Sequence, residues 1–380
     1  MRRDLVCRLA CAIAGWMIAL PGAADMPTDA ISAFNQAVQS GDAGTIVDAA
    51  KSLGATAIAH PEDKQAPVAA FEAGNQLCLH GACAEAVPMA TFLQGLEGDL
   101  SVSRPLVETL AAFSTWSASD KGKTADKAFA AVLEAHAGDE PSLLSIVAFD
   151  EYSVDAATSD DWAETQKRAA LAARHMEPVR DIIPARWATM DLLAASAEFN
   201  ATLSIDAMQP VADLETWLYL KRHVDDVEGL DDVYYATSAW VVAMSAYFRS
   251  TSTRDSRQAD RITKAAEEAR SAHEHNDDAE DGDNGPPLCK GQVSVPPRPN
   301  YPLSAVTKGY VGAVLVGFDF VDGKPANYRV LAAVPDKAFE KATLDSMKRF
   351  RWKWDKEQEN PDCTRSSRHP AIYPFEYVIE

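Results

Sequence analysis

"PNYPLSAVTKGYVGAVLVGFDFVDGK", Pro299–Lys324, is where the chain changes character. After a proline-rich entry, Val314, Val316, Phe318 and Phe320 alternate with Ala313, Leu315, Gly317 and Asp319. A period of two puts the first set on one face of a strand and leaves the opposite face mixed. "VDGK", Val321–Lys324, is a hairpin signal, and a second strand then carries Tyr328, Val330 and Ala332. After Pro335, "DKAFEKATLDSMKRF" sets Phe339, Ala342, Met347 and Phe350 at helical spacing, so that one helix can cover the sheet. The final "PFEYVIE" alternates Phe375, Tyr377 and Ile379 with Glu376, Val378 and Glu380. Strand, strand, helix, strand predicts a small α+β layer.

Upstream the pattern is helical from Thr28 to about His275. Thr28 is read as the cap of a helix with Ile31, Phe34 and Val38 on one face, stopping at Gly41. Ile46, Ala50 and Leu53 repeat that stripe and are expected to stop at Gly54. Thr124 opens a helix with Phe129, Val132, Leu133 and His136 in line, ending at Gly138. Short helices punctuated by glycine imply stacked antiparallel neighbours. The array is therefore of the tetratricopeptide or Sel1-like kind, although neither the Trp/Leu-Gly/Tyr spacing nor a fixed period is present. "VYYATSAWVVAMSAYF", Val233–Phe248, is too short and too polar to span a membrane and is read as a core helix.

Charge divides the chain in the same place. The net charge of −20 leaves −23 on residues 1–289, because Lys290 to the end holds 14 Lys and Arg against 11 Asp and Glu. So acidic a body repels nucleic acid and anionic lipid heads, and neither is an expected partner. Between the two parts, Asn276–Asp283 holds five carboxylates and is followed by prolines, which reads as an extended linker.

The first 24 residues read as an export signal. Arg2 and Arg3 are the positive start, Leu9–Leu20 is the apolar stretch, and Gly22-Ala23-Ala24 supplies the small residues for cleavage after Ala24. Twelve residues rise roughly 18 Å as a helix, short of a hydrocarbon core of roughly 30 Å. Cys11 lacks the upstream aliphatic residue of a lipoprotein site, so membrane anchoring is not expected. The expected location is the periplasm, with inner-membrane anchoring as the alternative. There Cys78, Cys83, Cys289 and Cys363 can form disulfides. Their positions favour Cys78 with Cys83 and Cys289 with Cys363, with upper estimates of about 2 and about 4–5 kcal/mol from loop closure.

Chemistry is sparse. HExxH, GxSxG and GxGxxG do not occur. Gly122-Lys123-Thr124 has Ser117 where a phosphate loop needs its first glycine, and reads as a helix start. His273–Asp278, "HEHNDD", reads as a charged linker ahead of a metal site, and His80 in "CLHGAC" as part of a structural bridge. His136 is a helix-face residue with its hydrogen bonds met, and Asp160-Asp161 and Asp225-Asp226 are exposed faces. Trp352 and Trp354 share a strand face and read as core packing ahead of a binding platform. No catalytic residue, cofactor or metal is expected, and the chain is not read as an enzyme.

The C-terminal residues resemble the TonB C-terminal domain. The match is carried by Tyr301-Pro302, Ala305, Gly309, "GAVLVGFDF" (Gly312–Phe320), Gly323, Val330, Phe339, Ala342, Phe350-Arg351-Trp352 and "PFEY" (Pro374–Tyr377). The resemblance implies a short antiparallel sheet with a packed helix. It also implies an energy transducer of the cell envelope, whose sheet edge pairs with a short peptide of an outer-membrane receptor. The implied edge is the last strand, with Tyr373, Phe375, Tyr377 and Ile379 as candidates. The sequence departs from the transducer pattern in having no convincing anchor, a short proline-rich stretch, and Trp354-Asp355 in place of a proline. The fold class expected is thus an N-terminal α-helical array plus a small α+β module. Its domains are a signal at 1–24, helices over 25–275, a linker at 276–298 and the TonB-like module at 299–380. Two functions fit: a TonB-family envelope protein that contributes to transport across the outer membrane, or a soluble periplasmic scaffold that holds partners with its helices.

Overall fold

The structure, a computed structural model, describes residues 26–378 apart from 98–99, 225–226, 278–287, 298, 322, 336, 359–361 and 367–370. The expected signal at 1–24, Asp225-Asp226, the middle of the expected linker and Ile379 lie outside the described residues, as do the side chains of His273–Asp278. The chain divides into two compact units, Met1–Ile183 and Pro184–Glu380.

The described part of the first unit is helical: α1 (Thr28–Ser40), α2 (Ala43–Ala59), α3 (Ala66–Leu79), α4 (Val87–Gln94), α5 (Arg104–Ala118), α6 (Lys123–His136), α7 (Leu143–Ala157) and α8 (Trp162–Met176). Neighbours in sequence pack on one another, as short connections require. The apolar stripes land inside: Phe34, Ile46, Ala50, Leu53, Phe129 and Leu133 are all buried. Gly41, at φ 69°, ends α1 as expected.

Three expectations about helix ends are corrected. Gly54 does not stop α2, which runs on to Ala59. It is buried within the helix because Met89 of α4 lies against it, where a Cβ would collide with the methionine side chain. Thr28 and Thr124 do not cap, since each lies inside its helix and the cap positions are Pro27 and Gly122. Asp161 is exposed, as the sequence suggests, and also caps α8 by accepting from Glu164 N at 3.1 Å.

Burial of an arginine ties four helices of this unit together. Arg168 of α8 is 7% exposed and donates to Asp126 at 2.8 Å, Glu164 at 2.7 Å and the Tyr152 carbonyl at 3.3 Å. Asp126 also accepts from Trp116 Nε1 at 2.7 Å, so the buried cation and the indole share one carboxylate. Both charges are hydrogen-bonded, the condition under which burial of an ion pair is tolerated. His136, expected to be satisfied, bonds Asp139 at 2.8 Å and Glu108 at 2.9 Å. Cys78 and Cys83 are joined at the end of α3.

The second unit holds α9 (Pro184–Thr202), α10 (Met208–Val224), α11 (Leu230–Thr251) and α12 (Thr253–Asp277). It continues through β1 (Gly291–Val295), α13 (Leu303–Lys308), β2 (Gly312–Val321), β3 (Lys324–Val334), α14 (Ala338–Met347), β4 (Arg351–Trp354) and β5 (Ala371–Tyr377). Three antiparallel strands lie in the order β3-β2-β5, and β1 pairs with β4 in a separate ribbon. Val321 pairs with Lys324 across a turn whose Gly323 sits at φ 75°, the conformation the glycine was expected to supply. Cys289 is bonded to Cys363, and the bridge closes the ribbon beside the Leu288–Thr364 pairing.

The sheet is covered on both faces. Even-numbered residues of β2 face α14 and the ribbon: Phe318 lies 5.2 Å from Phe350, and Phe320 lies 5.1 and 4.8 Å from Trp352 and Trp354. The two tryptophans, both half-buried, therefore pack on the core. On the odd face, where the sequence predicts a mixed surface, Ala313 and Leu315 are also buried, at 0% and 4% exposure. Helix α11 packs across β2, β3 and β5 there. The expected core helix of Val233–Phe248 is this α11, which also buries Trp240 and Phe248 against Phe199 of α9.

Candidate functional site

Pairing along β5 is uninterrupted, from Gly312 with Tyr377 to Phe318 with Ala371. Among the described residues no strand pairs with its second side, so β5 is a sheet edge with unpaired backbone groups. β3 is the other edge, but it breaks register with β2 twice and carries Asn327 at φ 53°. Bulges of that kind blunt an edge, so β5 is the straighter template for another chain.

Which atoms β5 offers follows from Pro374. Proline has no N–H and is tolerated in an edge strand where that position faces outward. In an antiparallel pair, alternate residues bond inward, so Tyr373, Phe375 and Tyr377 bond β2 while Ile372, Pro374 and Glu376 present their backbone groups outward. The free edge thus has the carbonyls of Ile372, Pro374 and Glu376 and the N–H groups of Ile372 and Glu376, with a gap at the proline.

The side chains divide in the same way. Phe375 and Tyr377 are 3% and 2% exposed. Phe375 packs 5.1 Å from Tyr373, and Tyr377 lies 4.4 Å from Phe339 of α14. Thr343 donates its hydroxyl to the Phe339 carbonyl, so the Tyr377 phenol donates to Thr343 Oγ1 at 2.6 Å. Burial pushes the Tyr377 phenol up to about 12. The aromatic candidates anchor β5, while Ile372, at 45% exposure, Pro374 and Glu376 are exposed to solvent along the edge. Alternation in the sequence marks the apolar set of β5 and leaves these three unmarked. The proline within the strand was the available signal.

Residues 297–377 match the family described as Gram-negative bacterial TonB protein C-terminal. The match takes in 81 of the 380 residues, from the proline-rich entry to the end of β5. No curated protein and no solved structure matches the chain. The family match and the fold agree: the module is a C-terminal protein-interaction domain of the TonB type. Among the described residues no group of three or more His, Cys, Asp and Glu could hold a metal ion, and no helix is long and apolar enough to cross a membrane.

Proposed function

We propose that the protein works in the cell envelope and docks an extended segment of a partner as a further strand on β5. The carrying observation is a regular, unpaired edge in a module of the TonB type, with its outward atoms at Ile372, Pro374 and Glu376. Main-chain bonds give affinity in such a mode and side-chain pockets give selectivity. A receptor peptide of the outer membrane is the partner the family points to, and transport across that membrane the process it would serve.

A second reading, a periplasmic scaffold, draws support from α11. By lying across the sheet it makes the module one body with α9–α12 instead of a head on a long tether. The same edge would then hold an assembly together.

A photoreactive residue at Ile372 in the full chain, expressed in cells, tests docking itself. Adducts should map to one extended segment of an envelope protein and vanish when Ile372 is instead replaced by proline in a chain labelled at Glu376. Adducts that map to the surface of a folded domain, or that survive the proline, defeat strand addition.

A further inference from the structure

The β5 edge does not end at the matched module. Arg249, in the last turn of α11, forms a salt bridge with Glu376, so the end of that helix stands beside the C-terminal end of the free edge. Both side chains are about half exposed, at 42% and 46%. α12 starts two residues later, and Arg254, Arg257 and Arg261 follow at spacings of three and four. That spacing puts them on one face over roughly 10 Å. All three are exposed and form no ion pair among the described residues; Arg257 and Arg261 bond only backbone carbonyls of their own helix. Lys264 continues the stripe but is paired with Glu268 at 3.6 Å. Of the nearby acids, Asp255 is taken up by Ser252 at 2.8 Å, and Asp260 has no ion pair with the arginines. In a stretch of chain with a charge of −23, a row of unneutralised guanidinium groups is the exception.

We infer that the arginines at the turn from α11 to α12 select the partner: the segment that pairs with β5 carries carboxylates at the end that passes Glu376. The inference rests on strand docking at β5 and adds the partner's chemistry and three residues outside the matched stretch, Arg249, Arg254 and Arg257. Glu376 already shows that Arg249 holds a carboxylate at this spot. A guanidinium has five N–H donors in a fork, enough for a second carboxylate without releasing the first. A strand laid along Ile372, Pro374 and Glu376 is carried by its own direction toward that corner, where exposed charges steer the encounter and fix which end goes where.

The test uses the full chain and a display library of random extended decapeptides. Peptides selected on the wild-type protein should be rich in Asp and Glu at one end only. The best of them should bind about tenfold more weakly to the R249A/R254A/R257A variant, the sum expected of a few exposed pairs, and lose a similar factor in about 0.5 M salt. Its Gln and Asn counterpart should bind the wild type as weakly as the acidic peptide binds the variant, and lose nothing further on the variant. Selected peptides without acidic bias, or equal binding to both proteins, overturn the inference while leaving strand docking intact. Ile372→Pro separates the two claims: it should abolish binding of both peptides, and acidic binding that persists in it defeats strand docking and this inference together, as does a selection that yields no peptide. Arginine-dependent flotation with anionic phospholipid vesicles, without preference for acidic peptides, would assign the stripe to a lipid surface and also overturn it.

Discussion

Tyr377 shows how one residue sets what β5 can do. Its ring is fixed by Phe339 at 4.4 Å and its phenol by Thr343 at 2.6 Å, which ties the edge strand to α14. Burial raises its pKa from an ordinary value of 10.0 to about 12. The folded protein therefore keeps a proton that the unfolded chain releases, and the stability this contributes is complete below pH 10 and is lost as pH rises toward 12. Tyrosinate absorbance should show Tyr377 ionising near pH 12, together with Tyr152, whose phenol burial also pushes up to about 12. Tyr377→Phe should remove one of these two late-titrating phenols; an unchanged late amplitude would contradict the assignment. Within β5 the aromatic residues were legible from their period, but their inward direction was not, because an alternating pattern names two faces without saying which one another layer covers.

At the scale of elements, β2 depends on close approach. A Cβ on Gly312 would lie against the Phe339 ring and the Val334 carbonyl at once. The ring can shift, but the carbonyl belongs to a strand held in the β2–β3 ladder. Gly312→Ala should therefore destabilise the second unit by about 1–3 kcal/mol, the cost of overpacking, in urea unfolding followed by tryptophan fluorescence. A neutral substitution would mean that the strand and α14 are not held in close apposition. The hairpin, the helix after it and the last strand could all be read from local periodicity and turn residues. Gly54 could not be read correctly: glycine marks a helix stop as often as a close packing site, and only the arrival of Met89 distinguishes the two.

For the whole molecule, the covering of the sheet by α11 has the widest consequence. A module cut from the chain would expose the face of Ala313 and Leu315 that α11 covers. Residues 286–380 alone should bind a hydrophobic dye and associate, whereas residues 184–380 should be monomeric in analytical ultracentrifugation. Equal behaviour of the two chains would show that α11 is dispensable to the sheet. If strand docking holds, the same attachment is what brings Arg249 to Glu376, so that the helical segment takes part in choosing the partner.

The amino-acid sequence by itself determined the helical character of the first unit, the hairpin, the succession of strand, strand, helix and strand along the C-terminal module, the pairing of the cysteines and the resemblance to the TonB C-terminal domain. All of these are written in short-range signals: periods of two and nearly four, glycine at a turn, cysteines placed around a module. Tertiary structure alone decided that the second face of the sheet is buried, that the opposite edge, β3, breaks register, and that an arginine from α11 meets a glutamate of β5. The reason is physical. A face of Ala, Leu and Gly suits water, a helix or another strand nearly equally well, and which of them it meets depends on a segment more than 60 residues away, whose own pattern says only that it is buried.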